Sequence, residues 1–548
     1  MKNGLLLLLI LVCACGPGKP KTVIAPWVPY DETAELAENA EHRSRRMRFK
    51  LIQTTFMDRN VMWADIAEQI AYFSEEDYLR LKPLILEQDI PSIQESIKSG
   101  SLSYEELTQW YLYRIVKFEN DKDKSLHNMI SVNPNAVAEA RLKDKNRSTG
   151  DHPLFGIPVI LKDNIGMEGK PTTAGTYALK DNNASDAFIV ERIKNKGGII
   201  LGKANLSEWA NFLCNGCPNG YSAAGGQTLN PYGRKEFDTG GSSSGSGSSI
   251  AANYAAVAVG TETSGSILSP SSSNSLVGLK PTVGLLSRGG IVPLSSTLDT
   301  PGPMTKNVID NAILLSAMTG EDSRDPATKG NDKALDYWEG LTASSLKGKR
   351  FGVIKPYLRD SMYQATVEKI TELGGVTVEF EFERIGLPGF GNLLNADMKI
   401  DLPNYINDYA SSNIQVKSIQ DVVNLNKGDS AIAIPYGQGR FDAILKEETT
   451  PEDLPALRKT LHDAGVKFFE TPMVEHQLDA ILSINNQNAG FAAAAFYPCL
   501  TVPMGYLATG QPRNLTFIAR PFQEYELLKM AYAFEKGTKA RQIPVDYK

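Results

Sequence analysis

Histidine is scarce in this chain of 548 residues. Its five occurrences are His42, His127, His152, His462 and His476. None of them lies in the two segments that are rich in serine and glycine, residues 240–250 and 260–270. A serine hydroxyl is a weak nucleophile near neutral pH and needs a base, for which histidine is the usual choice. A reactive serine in these segments therefore has no histidine near it in sequence, although a distant one could fold back.

Excess basic charge is also missing. Lysine and arginine total 57 against 63 aspartates and glutamates, so the net charge is −6. A protein that binds nucleic acid through its phosphates normally presents a clustered basic surface. The composition therefore gives no support to a nucleic-acid partner. The basic run at residues 42–50 is typical of a solvated helix face.

A hydrophobic run long enough to cross a membrane is absent from the N-terminus. Lys2 precedes an apolar run of only eight residues, 5–12, which fits the core of a signal peptide. The following Val-Cys-Ala-Cys resembles a bacterial lipobox in which Cys15 receives the lipid. We therefore expect an exported lipoprotein, anchored to the inner or outer membrane and facing the periplasm. An ordinary signal peptide or an uncleaved anchor is the alternative.

One lysine could replace the missing histidine. Lys162 directly follows an apolar run at residues 157–161. Burial disfavours the charged form of a lysine and lowers its pKa from about 10.4 toward roughly 7 to 8, where a neutral amine can accept a proton. The sequence thus contains a candidate base as well as two Ser/Gly-rich segments.

These features together resemble the amidase signature family of serine hydrolases. Its Gly-Gly-Ser-Ser-Gly-rich loop matches residues 240–243, and its Asp-Thr-Gly-Gly-Ser-Ile-Arg segment aligns with residues 262–268. Ser242 and Ser266 lie 24 positions apart, as the two catalytic serines of that family do. The likeness continues through residues 277–304, 496–505 and 519–535, so it covers most of the chain from about Lys98 onward.

The resemblance implies a role for each matched residue. Ser266 would be the nucleophile, Ser242 the bridging serine, held after a cis peptide bond with Gly241, and Lys162 the base. Ser243 would support this group. The family's oxyanion hole maps onto the backbone N–H groups of a run of four residues, Thr263, Ser264, Gly265 and Ser266. The implied reaction is hydrolysis of a carboxylic amide through an acyl-enzyme, with no metal or organic cofactor.

The sequence departs from the commonest family pattern at three positions. Glu262 replaces Asp, Ser264 replaces the first Gly, and Leu268 replaces Arg. Branches that resemble peptide amidases carry a similar Glu-Thr-x-Gly-Ser-Ile segment, so we interpret the change as a mark of that subgroup. Loss of the arginine removes a fixed charge and five hydrogen-bond donors near the nucleophile. Peptide C-terminal amides, aryl or alkyl amides and fatty-acid amides all remain possible substrates.

Two other interpretations compete with this one. Residues 241–245 also fit G-x-S-x-G, the nucleophile elbow of α/β-hydrolases, which would make Ser243 the nucleophile of an esterase. That motif needs a strand before the serine, and residues 238–241 are a poor strand. The other interpretation is a catalytically silent lipoprotein that keeps the scaffold for binding. The presence of all three matched residues, Lys162, Ser242 and Ser266, argues against it.

The pattern predicts an α/β protein, with a mixed β-sheet layered between α-helices as in the amidase signature fold. We expect residues 1–15 to be the signal peptide, 16–97 a tether and helical region, and 98–548 the catalytic domain. Predicted strands are residues 154–161, 198–201, 255–259, 348–354 and 478–484. Predicted helices are residues 187–196, 206–212 and 525–535. Residues 357–475 match no motif, and in this family that region varies and contributes to substrate choice.

The remaining cysteines carry little information. Cys214 and Cys217 form a C-x-x-C pair that could be a disulfide in an oxidising compartment. We favour two unpaired loop thiols, and no second pair accompanies them to suggest a metal site. Cys499 lies in an apolar stretch and is expected to be a small core residue.

Overall fold

The computed structural model describes residues 21–331 and 335–548. Cys15 and the predicted signal peptide lie outside them. The described chain forms thirteen strands and nineteen α-helices. The strands are β1 Met129–Val132, β2 Pro158–Lys162, β3 Ile199–Ala204, β4 Tyr221–Ser222, β5 Gly226–Gln227, β6 Val257–Glu262, β7 Val277–Lys280, β8 Thr300–Thr305, β9 Arg350–Ile354, β10 Val376–Phe380, β11 Ala480–Ile484, β12 Cys499–Tyr506 and β13 Pro512–Ile518.

The helices surround the strands. They are α1 Thr33–Asn39, α2 Arg59–Ala67, α3 Glu75–Ile85, α4 Ile90–Lys98, α5 Tyr104–Glu119, α6 Ala136–Asn146, α7 Phe188–Asn195, α8 Glu208–Asn211, α9 Ser244–Ala251, α10 Leu268–Ser273, α11 Val308–Met318, α12 Ser361–Glu372, α13 Phe390–Asp408, α14 Ile419–Gly428, α15 Ser430–Ala433, α16 Gly439–Leu445, α17 Leu454–Glu475, α18 Ala489–Ala494 and α19 Glu524–Thr538.

Eleven of the strands form one mixed sheet in the order β1-β3-β2-β6-β8-β7-β12-β13-β11-β9-β10. Strands β3, β2 and β6 are parallel to one another, whereas β8 runs antiparallel to β6. Residues 158–162 and 257–262 are buried along their whole length. Their apolar runs are continuous because both faces of a parallel sheet are covered by helices. The predicted mixed sheet between helices is confirmed.

Helix α9 packs against the three parallel strands and contains only Ser, Gly, Ile and Ala. A side chain at Gly245 would place its Cβ 2.4 Å from the backbone oxygen of Asn205. Small residues are therefore required here, since the helix approaches neighbouring backbone so closely. The Ser/Gly-rich composition of this segment reflects close packing and is not that of a flexible loop.

The N-terminal residues 21–98 are joined to the rest of the molecule. Buried apolar residues of helices α2 to α5 belong to the same continuous core as the central strands. The N–H of Gln227 donates to the carbonyl of Ile52 at 2.8 Å, and the N–H of Lys50 donates to the hydroxyl of Tyr436 at 2.6 Å. The boundary expected near residue 98 stays a prediction.

Most predicted elements are present, with ends displaced by a few residues. The five predicted strands correspond to β2, β3, β6, β9 and β11, and the predicted helices at 187–196 and 525–535 correspond to α7 and α19. Of the helix predicted at residues 206–212, only the four-residue turn α8 is present, and its inner residues are not right-handed. Trp209, Ala210 and Asn211 have positive φ angles of 51°, 53° and 69°, so the chain makes a left-handed turn there.

Candidate active site

Two neighbouring parallel strands end at the same edge of the sheet and carry the centre of the site. Lys162 is the last residue of β2, and Thr261 and Glu262 end β6. The pairing of Leu161 with Val259 sets the register between the two strands. Ligand sites in open parallel sheets commonly lie at the carboxyl ends of the strands.

Lys162 is fully buried and makes three short contacts. Its Nζ lies 2.8 Å from Ser242 Oγ, 2.8 Å from Thr261 Oγ1 and 3.1 Å from the carbonyl oxygen of Thr261. Burial lowers the pKa of Lys162 to about 7, although the charges of Asp299 and Glu262 oppose this shift. A neutral amine has two N–H donors and one lone pair, so it can donate to both Thr261 oxygens and accept from the Ser242 hydroxyl.

Ser242 is held by its backbone as well as by Lys162. The peptide bond between Gly241 and Ser242 is cis, as the family resemblance implies. The Ser207 N–H donates to the carbonyl of Ser242 at 3.0 Å. The Ser242 side chain is buried. The structure thus brings together two of the three predicted catalytic residues, Lys162 and Ser242.

Glu262 organises the loop that carries Ser266. Its carboxylate accepts the N–H groups of Gly265 at 2.7 Å, Ile267 at 2.7 Å and Leu268 at 3.0 Å. Gly265 has a φ angle of +89°, a conformation that glycine adopts without strain. The residue that we interpreted as a subgroup mark therefore fixes the shape of this loop. Leu268, in the position of the family's arginine, is buried.

Ser266 is partly exposed, and its Oγ forms no hydrogen bond with another described residue. The loop is tied to the Ser242 segment through the backbone, because the Ser243 N–H donates to the carbonyl of Ser266 at 3.1 Å. The predicted nucleophile thus lies on a loop whose backbone is bonded to the Ser242 segment. The structure shows no direct side-chain contact between Ser266 and Ser242.

The four N–H groups expected in the oxyanion hole differ in their partners. Gly265 donates to Glu262 at 2.7 Å. The N–H groups of Thr263, Ser264 and Ser266 have no acceptor within residues 21–331 and 335–548. These three N–H groups are therefore unpaired among the described residues, whereas the Gly265 N–H binds the Glu262 carboxylate.

Ser243 is buried and engaged with the backbone of β6. Its Oγ lies 3.1 Å from the carbonyl oxygen of Thr261 and accepts the Thr261 N–H at 3.2 Å. Helix α9 follows it, but no strand precedes it. The α/β-hydrolase elbow needs that strand and an exposed serine. The structure therefore does not support Ser243 as a nucleophile.

No histidine takes part in the site. His127 contacts Arg59, His152 accepts the N–H of Leu154, and His462 contacts the carbonyl of Ala494. The side chains of His42 and His476 lie near Ser44 and Glu475. Lys162 is therefore the basic group that contacts a serine hydroxyl in this part of the structure.

A cavity of about 340 Å³ opens beside the nucleophile loop. Thr261 and Thr263 line it from β6 and the following loop, and residues of helix α13 also line it. This size lies within the range of small-molecule sites. Helix α13 falls in the region that matched no motif, so its contribution to the site could not be predicted.

The C-x-x-C pair lies near the left-handed turn at residues 209–211. Cys214 and Cys217 form a disulfide, with their Cα atoms 5.7 Å apart. Our preference for unpaired thiols is wrong, because the loop brings the two residues within the usual Cα separation of a disulfide. Cys499 is buried and unpaired, as predicted.

Three functional contacts were missed at the level of sequence. Thr261 accepts from Lys162, Asn164 donates to Thr261 Oγ1 at 3.0 Å, and the Thr263 hydroxyl donates to the buried carboxylate of Asp299. Thr261 and Thr263 lie inside the Gly-Thr-Glu-Thr segment. Their position in that segment was the sequence signal that could have identified them as site residues. Nothing in the sequence marks Asp299, 33 positions beyond Ser266, as a partner.

Comparison with known proteins agrees with this architecture and defines an amide-cleaving hydrolase. The family model described as Amidase matches residues 106–387, slightly more than half of the chain. The chain therefore belongs to the amidase signature family.

Several relatives cover nearly its whole length. A protein described as "Probable amidase" from Arabidopsis thaliana is 35% identical over 486 residues, 84% of this chain and 92% of the relative. The peptide amidase of Stenotrophomonas maltophilia is 36% identical with a TM-score of 0.79, covering 84% of this chain and 98% of that one. An amidase family protein of Bacillus anthracis is 37% identical with a TM-score of 0.86, covering 90% and 99%.

Residues 21–331 and 335–548 contain no group of three His, Cys, Asp or Glu side chains arranged to hold a metal ion. In the same residues, no helix is both long and apolar enough to span a bilayer.

Proposed function

We propose that the protein hydrolyses carboxylic amides through an acyl-enzyme on Ser266, with Lys162 as the base and Ser242 as the proton relay. The observation that carries this proposal is the 2.8 Å contact between Ser242 Oγ and the Nζ of a buried lysine. Asp299 and Glu262 act on Lys162 only through their charge, and its direct partners are hydroxyl and carbonyl groups. The lysine can therefore be neutral near pH 7 and accept a proton.

In the first step, Ser266 Oγ attacks the amide carbon while its proton passes to Ser242 Oγ. The proton of Ser242 moves at the same time to Lys162 Nζ, so Ser242 carries a neutral hydroxyl both before and after this step. The new oxyanion accepts hydrogen bonds from the free N–H groups of the nucleophile loop. These groups are oriented before the reaction because Glu262 fixes the loop.

In the second step, the proton returns from Lys162 through Ser242 to the amide nitrogen. The C–N bond then breaks, ammonia or an amine leaves, and the acyl group stays on Ser266. Protonation matters because an unprotonated amine anion is a very poor leaving group. Water then attacks the ester carbon and loses its proton to Lys162 through Ser242. The proton returns by the same path to Ser266 Oγ as the C–O bond breaks and the acid leaves.

The substrate class follows from the relatives. The peptide amidase of Stenotrophomonas maltophilia is 36% identical to this chain. We therefore infer that the protein cleaves peptide amides or other small amides. Ammonia release from a panel of peptide C-terminal amides, alkyl amides, aryl amides and fatty-acid amides would identify the preferred group. A panel with no turnover, in a protein that still folds, would favour the catalytically silent binding lipoprotein.

Covalent labelling tests the assignment of the three serines. A fluorophosphonate should modify Ser266 in the wild type, and peptide mass spectrometry would locate it. Ser266→Ala should lose both labelling and turnover, and Ser242→Ala should lower turnover by several orders of magnitude because both proton transfers pass through it. Ser243→Ala is the matched control and should be affected less. Labelling that survives in Ser266→Ala but disappears in Ser243→Ala would overturn the assignment.

We further propose that Cys15 carries lipid and that the enzyme acts outside the cytoplasm on a bacterial membrane. The Val-Cys-Ala-Cys sequence after the apolar run supports the anchor. The disulfide between Cys214 and Cys217 supports an oxidising compartment. Mass spectrometry of the mature N-terminus should find a lipidated Cys15, and Cys15→Ser should leave the protein unprocessed or released. An unmodified N-terminus beyond residue 15 would contradict the anchor.

A further inference from the structure

The cavity beside the nucleophile loop has a charged wall that the mechanism does not use. One face of helix α13 contributes Asp401, Asn404, Tyr405, Asp408 and Tyr409 to it, at the spacing of successive helical turns. Thr261 and Thr263 belong to the same wall. A substituent of a substrate bound at Ser266 can therefore extend from the reacting loop toward α13.

Both arginines of this wall already have partners. Arg288 Nε donates to Asp325 at 2.8 Å, and its two terminal nitrogens donate to Asp325 and to the carbonyl of Ser296. Arg324 donates to Asp322 at 3.0 Å and lies 3.6 Å from Glu191. Both guanidinium charges of the wall therefore already face a carboxylate of the protein.

The carboxylates of the wall are compensated unequally. Asp299 accepts the N–H groups of Leu294 and Ser295 and the hydroxyl of Thr263. Asp401 is bound by Ser296, whose N–H it accepts at 2.6 Å and whose hydroxyl also hydrogen-bonds to it.

No lysine, arginine or histidine nitrogen of the described residues lies within 4.0 Å of the Asp401 carboxylate. Asp408, one of the α13 residues that line the cavity, is exposed and has no ion-pair partner among the described residues either.

A half-buried carboxylate without a cation is unfavourable unless something supplies the charge. Burial raises the pKa of Asp401 to about 7, and the neighbouring carboxylates of Asp397 and Asp299 add to this shift. Val292, Leu294 and Pro301 add apolar surface to the same cavity. The cavity thus matches a short hydrocarbon chain that ends in a positive charge.

We propose that this cavity binds a protonated amine of the substrate, with Asp401 as its main partner, so that the preferred substrates are amides that also carry an ammonium group. The inference rests on the amide hydrolysis proposed above and names its substrate class. The ammonium could be the free N-terminus of a peptide amide or the end of a lysine-like side chain.

Paired substrates distinguish these two sources. One pair is alanyl-phenylalanine amide and its N-acetyl form, and the other is N-acetyl-lysine amide and N-acetyl-norleucine amide. In the wild type, we expect kcat/KM for the cationic substrate to be at least ten times that for its uncharged partner in at least one pair. In Asp401→Asn the ratio for that pair should fall to within about threefold of unity. The matched control, Glu379→Gln, removes one negative charge from the exposed edge strand β10 and should keep the wild-type ratio.

Direct binding makes the test independent of turnover. Isothermal titration calorimetry should detect n-pentylammonium but not 1-pentanol in the wild type, and Asp401→Asn should lose this difference. Equal kcat/KM for both members of both pairs, or a cation preference that persists in Asp401→Asn, would overturn the inference while amide hydrolysis stands. Binding of n-pentylammonium that depends on Asp401, with no amide cleaved and no labelling of Ser266, would instead overturn the proposed reaction alone.

Discussion

Two fully buried lysines lie on neighbouring parallel strands, and their partners differ. Lys203 on β3 lies 3.2 Å from the carboxylate of Asp163 and donates to the carbonyl of Ile165 at 2.6 Å. Lys162 on β2 contacts Ser242 and Thr261, which are neutral. The two side chains thus share depth and strand geometry but not electrostatic surroundings.

The difference shows how one sheet can hold a structural lysine beside a candidate base. Burial lowers the pKa of both, and in Lys203 the charge of Asp163 opposes that shift. A carboxylate partner stabilises the ammonium form, so Lys203 serves as half of an ion pair. Hydroxyl partners stabilise it less, so Lys162 can exchange a proton near neutral pH. The type of partner decides the function, and burial alone does not.

The largest expected effect is on activity when Lys162 is changed. Lys162→Met keeps most of the side-chain volume but removes the proton acceptor, so kcat/KM for amides should fall roughly a thousandfold or more. Initial rates of ammonia release would measure this. The variant should melt at or above the wild-type temperature, because no charge is then buried at this position. Activity within tenfold of the wild type would exclude Lys162 as the base.

The corresponding change on β3 should act on stability instead. Lys203→Met leaves the buried Asp163 carboxylate without its cation, which should lower the free energy of unfolding by about 3–5 kcal/mol. Urea unfolding followed by circular dichroism would measure the loss. The double variant Lys203→Met/Asp163→Asn is the control and should recover part of it. A single variant as stable as the wild type would show that this pair is not structural.

A smaller effect should appear in the pH dependence. Below about pH 7 Lys162 is protonated and cannot accept a proton, so kcat/KM for an uncharged amide should rise with pH through that region. Thr261→Val removes one acceptor of the ammonium form. The pKa should therefore fall further, and the rising limb should move to lower pH.

Thr371→Val, on the exposed end of α12, is the matched control for that experiment and should keep the wild-type profile. Rates from pH 5 to 9 would define the limb in each protein. A limb that moves to higher pH in Thr261→Val, or a wild-type profile without a limb, would contradict the proposed role of the neutral amine.

Much of the site could be predicted because its residues lie in short, dense segments. The Ser/Gly-rich composition near Ser242 reflects close packing of α9, and the same small residues mark the segment in the sequence. The strand that ends at Lys162 is a continuous apolar run, which local patterning identifies. In these places local composition and tertiary packing point to the same structure.

The rest depends on contacts that are distant in sequence. The turn at residues 209–211 has helical composition, yet the Trp209 N–H donates to the carbonyl of Ala174 and the chain takes left-handed angles. The carboxylate of Asp401 reaches the cavity only because α13 packs beside the nucleophile loop. No local pattern encodes either placement.

The hydrogen bond from Lys50 to Tyr436 joins residues 386 positions apart and has a consequence for synthesis. At about 5–20 residues per second, a ribosome needs roughly 20 to 80 seconds to make Tyr436 after Lys50. During that interval the apolar side chains near Lys50, such as Phe49 and Ile52, lack part of their final surroundings. The segment around Lys50 therefore completes its hydrogen bonding only after Tyr436 has been made.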